Sequence, residues 1–345
     1  MKGSLAFIYG GRGLEREVSL LGGDFLLPII EKTDWGVIPI YIEEDGRWTV
    51  LRRGDLFIRP DKREGGECAG LINLGGRGGI CLGGECVVID LAFPLLHGDF
   101  GEDGSVQGAL ENARIPYVGE GVSVSAFCLD KAICREMTDT LSLPGAKWIA
   151  PPLGQSPEGA MEMAEAALGY PMFIKPRSLG SSIGAGGVLC REDFFAAYKE
   201  ASDGLKRRVI IEEMVDIDSE LEIGVIRYKG KYIFTKVGKI RNEGRFYSYG
   251  DKYSKDSLAT VDPSPSVPRE IEEKILEYSR AIVSRLEIRS LARLDFFLDK
   301  AGKIYFNEIN TMPGFTASSL FPSLFSEIGI GGCELLQMLI EEALS

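Results

Sequence analysis

Arg293 and Asp295 stand two apart in a run that reads as a β-strand, and Glu308 and Asn310 do the same in the next. Side chains two apart share one face of a strand. The Asp299-Lys300-Ala301-Gly302 turn between Leu291–Leu298 and Ile304–Ile309 folds the runs together and brings Asp295 near Glu308. Two carboxylates, an amide oxygen and a guanidinium then meet on one surface, a donor set that suits Mg²⁺ with waters and phosphate oxygens completing its shell. The same pattern also describes a solvated strand face with a salt bridge, and the hairpin alone does not decide between them.

Other segments bear on that choice. Asn310-Thr311-Met312-Pro313-Gly314-Phe315-Thr316 continues the strand as a turn-rich loop, with Ser318-Ser319 beyond, whose amides and hydroxyls suit a carboxylate. Lys175 ends a short strand before the loop Gly180-Ser181-Ser182-Ile183-Gly184-Ala185-Gly186-Gly187. Such a loop lets backbone N–H groups approach phosphates. It is not a Walker A motif, and Gly11-Arg12-Gly13-Leu14-Glu15-Arg16 lacks the third glycine of a dinucleotide fingerprint. Glu15 sits at a helix start, where an acid is an ordinary partner of the dipole. His97, the one histidine, opens a loop of glycines and acids running to Gly108, so no histidine-based metal site is expected.

The elements that must carry these residues are legible in outline. Residues 5–9 and Val37–Ile42 read as strands around a helical pattern with Pro28 inside it, which should kink or end that helix. Val87–Phe93 reads as a buried strand leading into Leu96-His97-Gly98. This order predicts a parallel α/β domain with functional loops at the carboxyl ends of strands. The glycine-rich stretch 52–86 reads as loops and short hairpins. Ser125–Thr138, Gly159–Leu168 and Arg269–Leu286 read as helices, and Leu221–Ile226 with Tyr232–Val237 as a hairpin. The aromatic loop 240–258 is a natural lid, or simply a loop docked on the surface.

The chain has 345 residues, enough for two or three packed domains. Its 39 basic and 51 acidic residues give a net charge of −12, which disfavours nucleic acid and anionic lipid as partners. No apolar run reaches the roughly 18 residues that span a bilayer, and the N-terminal apolar run is short for a signal peptide. Seven cysteines in an odd count, none in C-x-x-C spacing, suggest reduced thiols and a cytoplasmic setting.

Taken in order, these segments resemble the D-alanine–D-alanine ligases of the ATP-grasp superfamily. The matching stretches are Gly10-Gly11 through Ser19, His97-Gly98 through Gln107-Gly108, Ile115–Gly119 and Asp130-Lys131. They continue with Lys175-Pro176 through Gly184, Ile211-Glu212-Glu213, Phe246-Tyr247 through Lys252-Tyr253, Arg293-Leu294-Asp295 and Asn307 through Thr316. The resemblance implies a Rossmann-like α/β domain over 1–120 followed by a two-lobed α+β ATP-grasp fold, 121–207 and 208–345, with 240–258 as lid. It implies ATP-dependent joining of two D-alanines through an acyl phosphate, for peptidoglycan precursor synthesis, by a cytoplasmic homodimer.

It also assigns roles. Lys131 and Lys175 would hold ATP phosphates, with Ser182 in the covering loop and Asn307 also at the nucleotide. Glu212, Glu213, Met214 and Val215 would line the adenine edge, and Glu220 the ribose. Asp295, Glu308 and Asn310 would bind two Mg²⁺, with Mn²⁺ as a substitute. Glu15, linked to Ser181 and Tyr253, would hold the first amino group, and Arg293 with the Gly314 amide would form the oxyanion site. Ser319 and Leu320 would take the second carboxylate, with Lys252 and His97 close by.

Three departures stand out: Arg12-Gly13 in place of a small polar pair, no Pro-Ala within Val261–Pro265, and the glycine loop ending in Ala185-Gly186-Gly187. Tyr253 argues against D-lactate as second substrate, while D-serine needs only a small pocket change. A carboxylate kinase would need neither Ser319 nor Lys252. A non-catalytic nucleotide-binding module would be expected to lack Arg293 or a metal ligand.

Overall fold

The computed structural model describes residues 2–53, 56–58, 66–241, 260–316 and 318–345. In the N-terminal unit, β1 (Ser4–Gly10), α1 (Arg16–Ile30) and β2 (Gly36–Ile42) are followed by β3 (Trp48–Arg53), β4 (Leu56–Ile58), β5 (Glu67–Asn73), β6 (Gly78–Leu82) and β7 (Glu85–Val88). Then come β8 (Leu91–Pro94) and α2 (Ser105–Ala113). The sheet order is β7-β6-β5-β3-β2-β1-β8, with β4 on β3. It is parallel only at its centre, where β1 pairs with β2 and β8. The expected parallel domain is thus extended by an antiparallel meander. Helix α1 runs through Pro28 and ends two residues later.

Strand β1 is apolar on both faces because both are covered. Leu5, Phe7 and Tyr9 pack with Leu26, Leu27, Phe321 and Leu339, whereas Ala6 and Ile8 pack with Ile38, Ile40 and Leu110. The first cluster joins the N-terminal sheet to the C-terminal helices.

Two departures from the sequence reading have simple causes. Where described, the stretch 52–86 forms the short hairpins expected, but as strands of the main sheet and not as separate loops: at Gly79 two strands come close, and a Cβ there would meet the Val87 carbonyl. Cys81 and Cys86 face each other in the β6–β7 register and are joined as a disulfide, contrary to the expectation of reduced thiols.

The second unit starts with α3 (Val122–Leu129) and α4 (Lys131–Thr140), where one helix was expected. The extended backbone of Asp130 breaks the run. After β9 (Trp148–Ile149) and α5 (Pro157–Ala167) come β10 (Met172–Pro176), β11 (Gly186–Val188), α6 (Phe194–Ala201) and β12 (Val209–Glu213). These form the four-stranded sheet β11-β10-β12-β9 under α5 and α6. The last unit has β13 (Ile217–Tyr228), β14 (Lys231–Arg241), β15 (Thr260–Asp262), α7 (Arg269–Leu286), β16 (Leu291–Asp299), β17 (Ile304–Asn310), α8 (Leu320–Glu327) and α9 (Gly332–Ala343). Its antiparallel sheet runs β15-β14-β13-β16-β17.

Candidate active site

Alternation on β16 sorts its side chains. Ala292, Leu294 and Phe296 enter the core with Ile275 and Ile282 of α7, so Arg293 and Asp295 face the other way. Asp295 pairs in register with Glu308 of β17, and Arg293 with Asn310. Arg293 donates from Nε to Asp295 Oδ1 (2.8 Å) and from Nη2 to Oδ2 (2.7 Å). Asn310 Nδ2 donates to Asp295 Oδ2 at 3.0 Å. Burial works against the Arg293 charge, but Asp295 and Glu222 outweigh it and hold the guanidinium protonated.

Two oxygen-bearing acids and an amide side by side fit a hard divalent ion. Among the described residues no three His, Cys, Asp or Glu side chains are placed to hold an ion unaided. An ion here would therefore draw further oxygens from phosphate and water.

Two lysines border this face. The Asp130 carboxylate caps α4 by accepting from the Ala132 and Ile133 N–H groups, and it pairs with Arg177. The next residue is thereby aimed: Lys131 Nζ reaches the Leu179 carbonyl at 2.6 Å and Glu308 Oε2 at 3.2 Å. Lys175, from the end of β10, reaches Glu212 at 2.7 Å and Asn307 Oδ1 at 3.3 Å. Burial lowers the Lys175 pKa, with Glu212 opposing and Arg135 and Lys131 adding to the fall. The Glu212 side chain thus lies between Lys175 and the fully buried Arg135, 3.0 Å away. Beside it opens a cleft of about 520 Å³, lined by Ala146, Phe173, Met214, Val215, Glu220 and Phe297.

Glu15 is enclosed. Gly180 N–H donates to its Oε2 at 3.1 Å and Ser181 Oγ to its Oε1 at 2.6 Å. A Cβ at Gly180 would lie 2.7 Å from Oε1, and one at Gly98 would collide with Oε2. Gly98, at φ 61°, needs glycine, whereas a methyl at Gly180 would push the Glu15 carboxylate out of place. Ser181 and Ser182 adopt left-handed backbone, φ 53° and 59°, which turns the glycine loop over the carboxylate. Burial raises the Glu15 pKa against its two hydrogen bonds and Lys131.

The loop after β8 grips the loop after β17. His97 Nδ1 hydrogen-bonds the Met312 carbonyl at 3.0 Å. Glu102 accepts from Met312 N–H through Oε1 (3.0 Å) and from Gly98 N–H through Oε2 (2.9 Å). Burial, then the charge of Glu15, pushes Glu102 up to about 7. Burial pulls His97 down to about 4, so the ring is neutral at pH 7 and donates from Nδ1. Beyond Met312, Gly314 lies against the Ser319 hydroxyl, which accepts from Thr316 N–H at 2.9 Å. Leu320 opens α8 and is buried.

Glu15, Ser181, His97, Arg293, Gly314 and Ser319 line one cavity. A second, with Lys131, Lys175, Ser182, Glu220, Asp295 and Glu308, lies beside it. Lys252 and Tyr253 lie outside the described residues, as does most of the 240–258 loop. Glu102, Glu222 and Arg135 were missed as site residues; only Glu102 had a signal, its place in the His97–Gly108 motif. Buried cations beside paired carboxylates, a covering glycine loop and a separate acid-lined cavity form a layout for metal-assisted transfer of phosphate to a small acid.

Comparison with known proteins agrees. The family described as D-ala D-ala ligase N-terminus matches residues 4–120, and D-ala D-ala ligase C-terminus matches 137–341. A D-alanine–D-alanine ligase of Deinococcus radiodurans is 34% identical over 349 residues, covering 100% of this chain and 99% of the relative. The crystal structure of D-alanyl-alanine synthetase A from Vibrio cholerae superposes with TM-score 0.85 at 29% identity, covering 99% of this chain and 98% of the other. The VanG D-Ala:D-Ser ligase of Enterococcus faecalis gives TM-score 0.84 at 28% identity, covering 99% and 100%. The fold is that of the ATP-grasp ligases. The chain belongs to the D-alanine–D-alanine ligase family.

Proposed function

We propose that the protein joins two D-alanines at the expense of ATP, giving D-alanyl-D-alanine, ADP and phosphate. The observation that carries this reading is the enclosed Glu15 carboxylate, held in one cavity with Arg293, Gly314 and Ser319. Among the described residues no cation forms an ion pair with this carboxylate, and a buried acid in a small polar cavity suits a substrate ammonium. The adjacent Lys131 and Lys175 suit the phosphates of ATP, and the apolar slot at Met214 and Val215 suits its base.

In the first step a carboxylate oxygen of the first D-alanine attacks the γ-phosphorus and ADP leaves. Asp295, Glu308 and Asn310 would hold two Mg²⁺, which when bound neutralise phosphate charge during transfer. In the second step the amine of the second D-alanine attacks the acyl carbon, loses a proton, and phosphate leaves. Arg293 and the Gly314 N–H receive the charge on the carbonyl oxygen. Ser319, at the start of α8, takes the second carboxylate.

D-serine as second substrate is the rival reading: the VanG D-Ala:D-Ser ligase shares the fold, though no more closely than the D-alanyl-alanine synthetase does. Phosphate release and product mass with ATP, Mg²⁺ and D-alanine test both. D-alanyl-D-alanine is expected. Turnover only when D-serine is added would select the rival, and no dipeptide from either would remove the proposal.

A further inference from the structure

The register of the C-terminal sheet extends the carboxylate pair by one strand. Glu222 of β13 stands opposite Asp295, which stands opposite Glu308. Three carboxylates thus lie in a row across β13, β16 and β17, one strand spacing apart. Glu222 is buried, fixed between the core residues Leu221 and Ile223, and lines both the substrate and the phosphate cavities.

Its Oε2 lies 3.0 Å from Arg293 Nε, the nitrogen whose N–H is donated to Asp295 Oδ1. One guanidinium nitrogen is therefore flanked by two carboxylates, and in this structure its N–H points to Asp295. Asp295 has a conflict of duties. Its two oxygens accept from Arg293 and one also from Asn310. A divalent ion on Asp295 would withdraw charge from those same oxygens and weaken their hold on Arg293.

We propose that Glu222 is a positioning residue for Arg293: it receives the Nε–H when a metal ion engages Asp295, so the guanidinium stays aimed at the acyl oxygen. This rests on the ligase reading of the site. Glu222 is poorly placed to be a metal ligand shared with Glu308, because Asp295 stands between them and their strands run about 9.6 Å apart, two strand spacings. The handover also lets a buried acid keep a cationic partner in both states, which a buried carboxylate requires.

The test is E222Q in the full-length enzyme, with Mn²⁺ binding, steady-state kinetics and NMR. Losing an outer partner of a metal ligand costs about 10- to 100-fold in affinity or activity; a fall of that order is expected here in kcat, with KM for ATP little changed. Mn²⁺ affinity with a non-hydrolysable ATP analogue should be unchanged. In an R293K background, E222Q should add almost nothing. The Arg293 Nε–H signal, assigned by its absence in R293K, should move on adding Mg²⁺ and the analogue to wild type, and move differently in E222Q.

A drop in Mn²⁺ affinity would make Glu222 a ligand and overturn the proposal. So would an equal fold loss in the R293K background, wild-type kcat in E222Q, or an Arg293 signal unaffected by the substitution. If E222Q does not fold, E222D, which keeps the charge but shortens the reach, carries the same measurements. Should wild type form no dipeptide, the ligase reading fails first. The Mn²⁺ and NMR arms still decide the handover, since neither needs turnover.

Discussion

At the scale of residues, the site is built from groups held in unusual company. Glu15 accepts from Gly180 N–H and Ser181 Oγ, and a Cβ at Gly180 would lie 2.7 Å from its Oε1. Gly180 has no left-handed φ to protect, so Gly180→Ala is a steric probe of this one contact. The KM for D-alanine should rise by about tenfold, the equivalent of roughly 1.4 kcal/mol, with KM for ATP and melting temperature nearly unchanged. Steady-state kinetics with each substrate varied, plus a thermal melt, check it. His97 offers a second probe because it is the only histidine in the chain. Burial depresses its pKa from 6.5 to about 4. The folded state therefore binds its proton less tightly than the unfolded state. The stabilisation is present above pH 6.5 and is lost as pH falls from 6.5 to 4, on the order of 3 kcal/mol at the limit. A single imidazole resonance in ¹³C,¹⁵N-histidine-labelled protein should stay neutral down to pH 5; titration near 6.5 would refute the buried Nδ1–H contact to Met312.

At the scale of elements, Asp130 shows how one side chain sets the position of another. Its carboxylate caps α4 and pairs with Arg177, while the Lys131 backbone N–H donates to the Arg177 carbonyl. Asp130→Ala removes the cap and leaves Arg177 without its partner, which should cost about 3 kcal/mol. Asp130→Asn keeps the cap and should cost clearly less. Urea unfolding of the two variants checks the order, and Asp130→Ala should also weaken ATP binding through Lys131. The sequence showed Asp130-Lys131 as a motif but not the break it makes, since Ser125–Thr138 contains no glycine or proline to mark one. Strand alternation, by contrast, was fully legible: Arg293, Asp295, Glu308 and Asn310 share a face because period two requires it, and the Asp299–Gly302 turn fixed their pairing. Glu222 was not legible, because its nearness to Asp295 depends on β13 joining the sheet beside β16. Nothing local in Leu221–Ile226 tells which strand it will meet. Arg135 was hidden for the same reason, as its partners Glu212 and Phe306 come from two other strands. The β6–β7 hairpin carried a turn signal at Gly83-Gly84, yet counting cysteines without the register concealed that Cys81 faces Cys86.

At the scale of the whole molecule, one short loop ties three units together. Residues 97–102 belong to the N-terminal unit. Asp99 pairs with Arg207 of the central unit at 2.6 Å, while His97 and Glu102 hold both backbone groups of Met312 in the last unit. These two ties differ in kind. The Asp99–Arg207 pair is partly exposed, so water and salt screen it, and Asp99→Asn should cost below about 1 kcal/mol. Glu102 is buried and each of its oxygens accepts one backbone N–H. In Glu102→Gln only one oxygen remains to accept, and the new NH₂ faces the other N–H as a second donor. Leaving that buried donor without an acceptor should cost about 1–3 kcal/mol. Because Met312 leads directly into Pro313-Gly314, the loss should appear mainly in kcat, through a displaced Gly314 amide, and little in KM for ATP. Salt separates the two ties. At roughly 0.5 M salt, where the screening length is only a few ångströms, Asp99→Asn should become indistinguishable from wild type. Glu102→Gln should show the same deficit in melting temperature and kcat as at low salt. A Glu102→Gln deficit that vanished with salt would mean that the carboxylate acts by charge and not by holding the Met312 backbone.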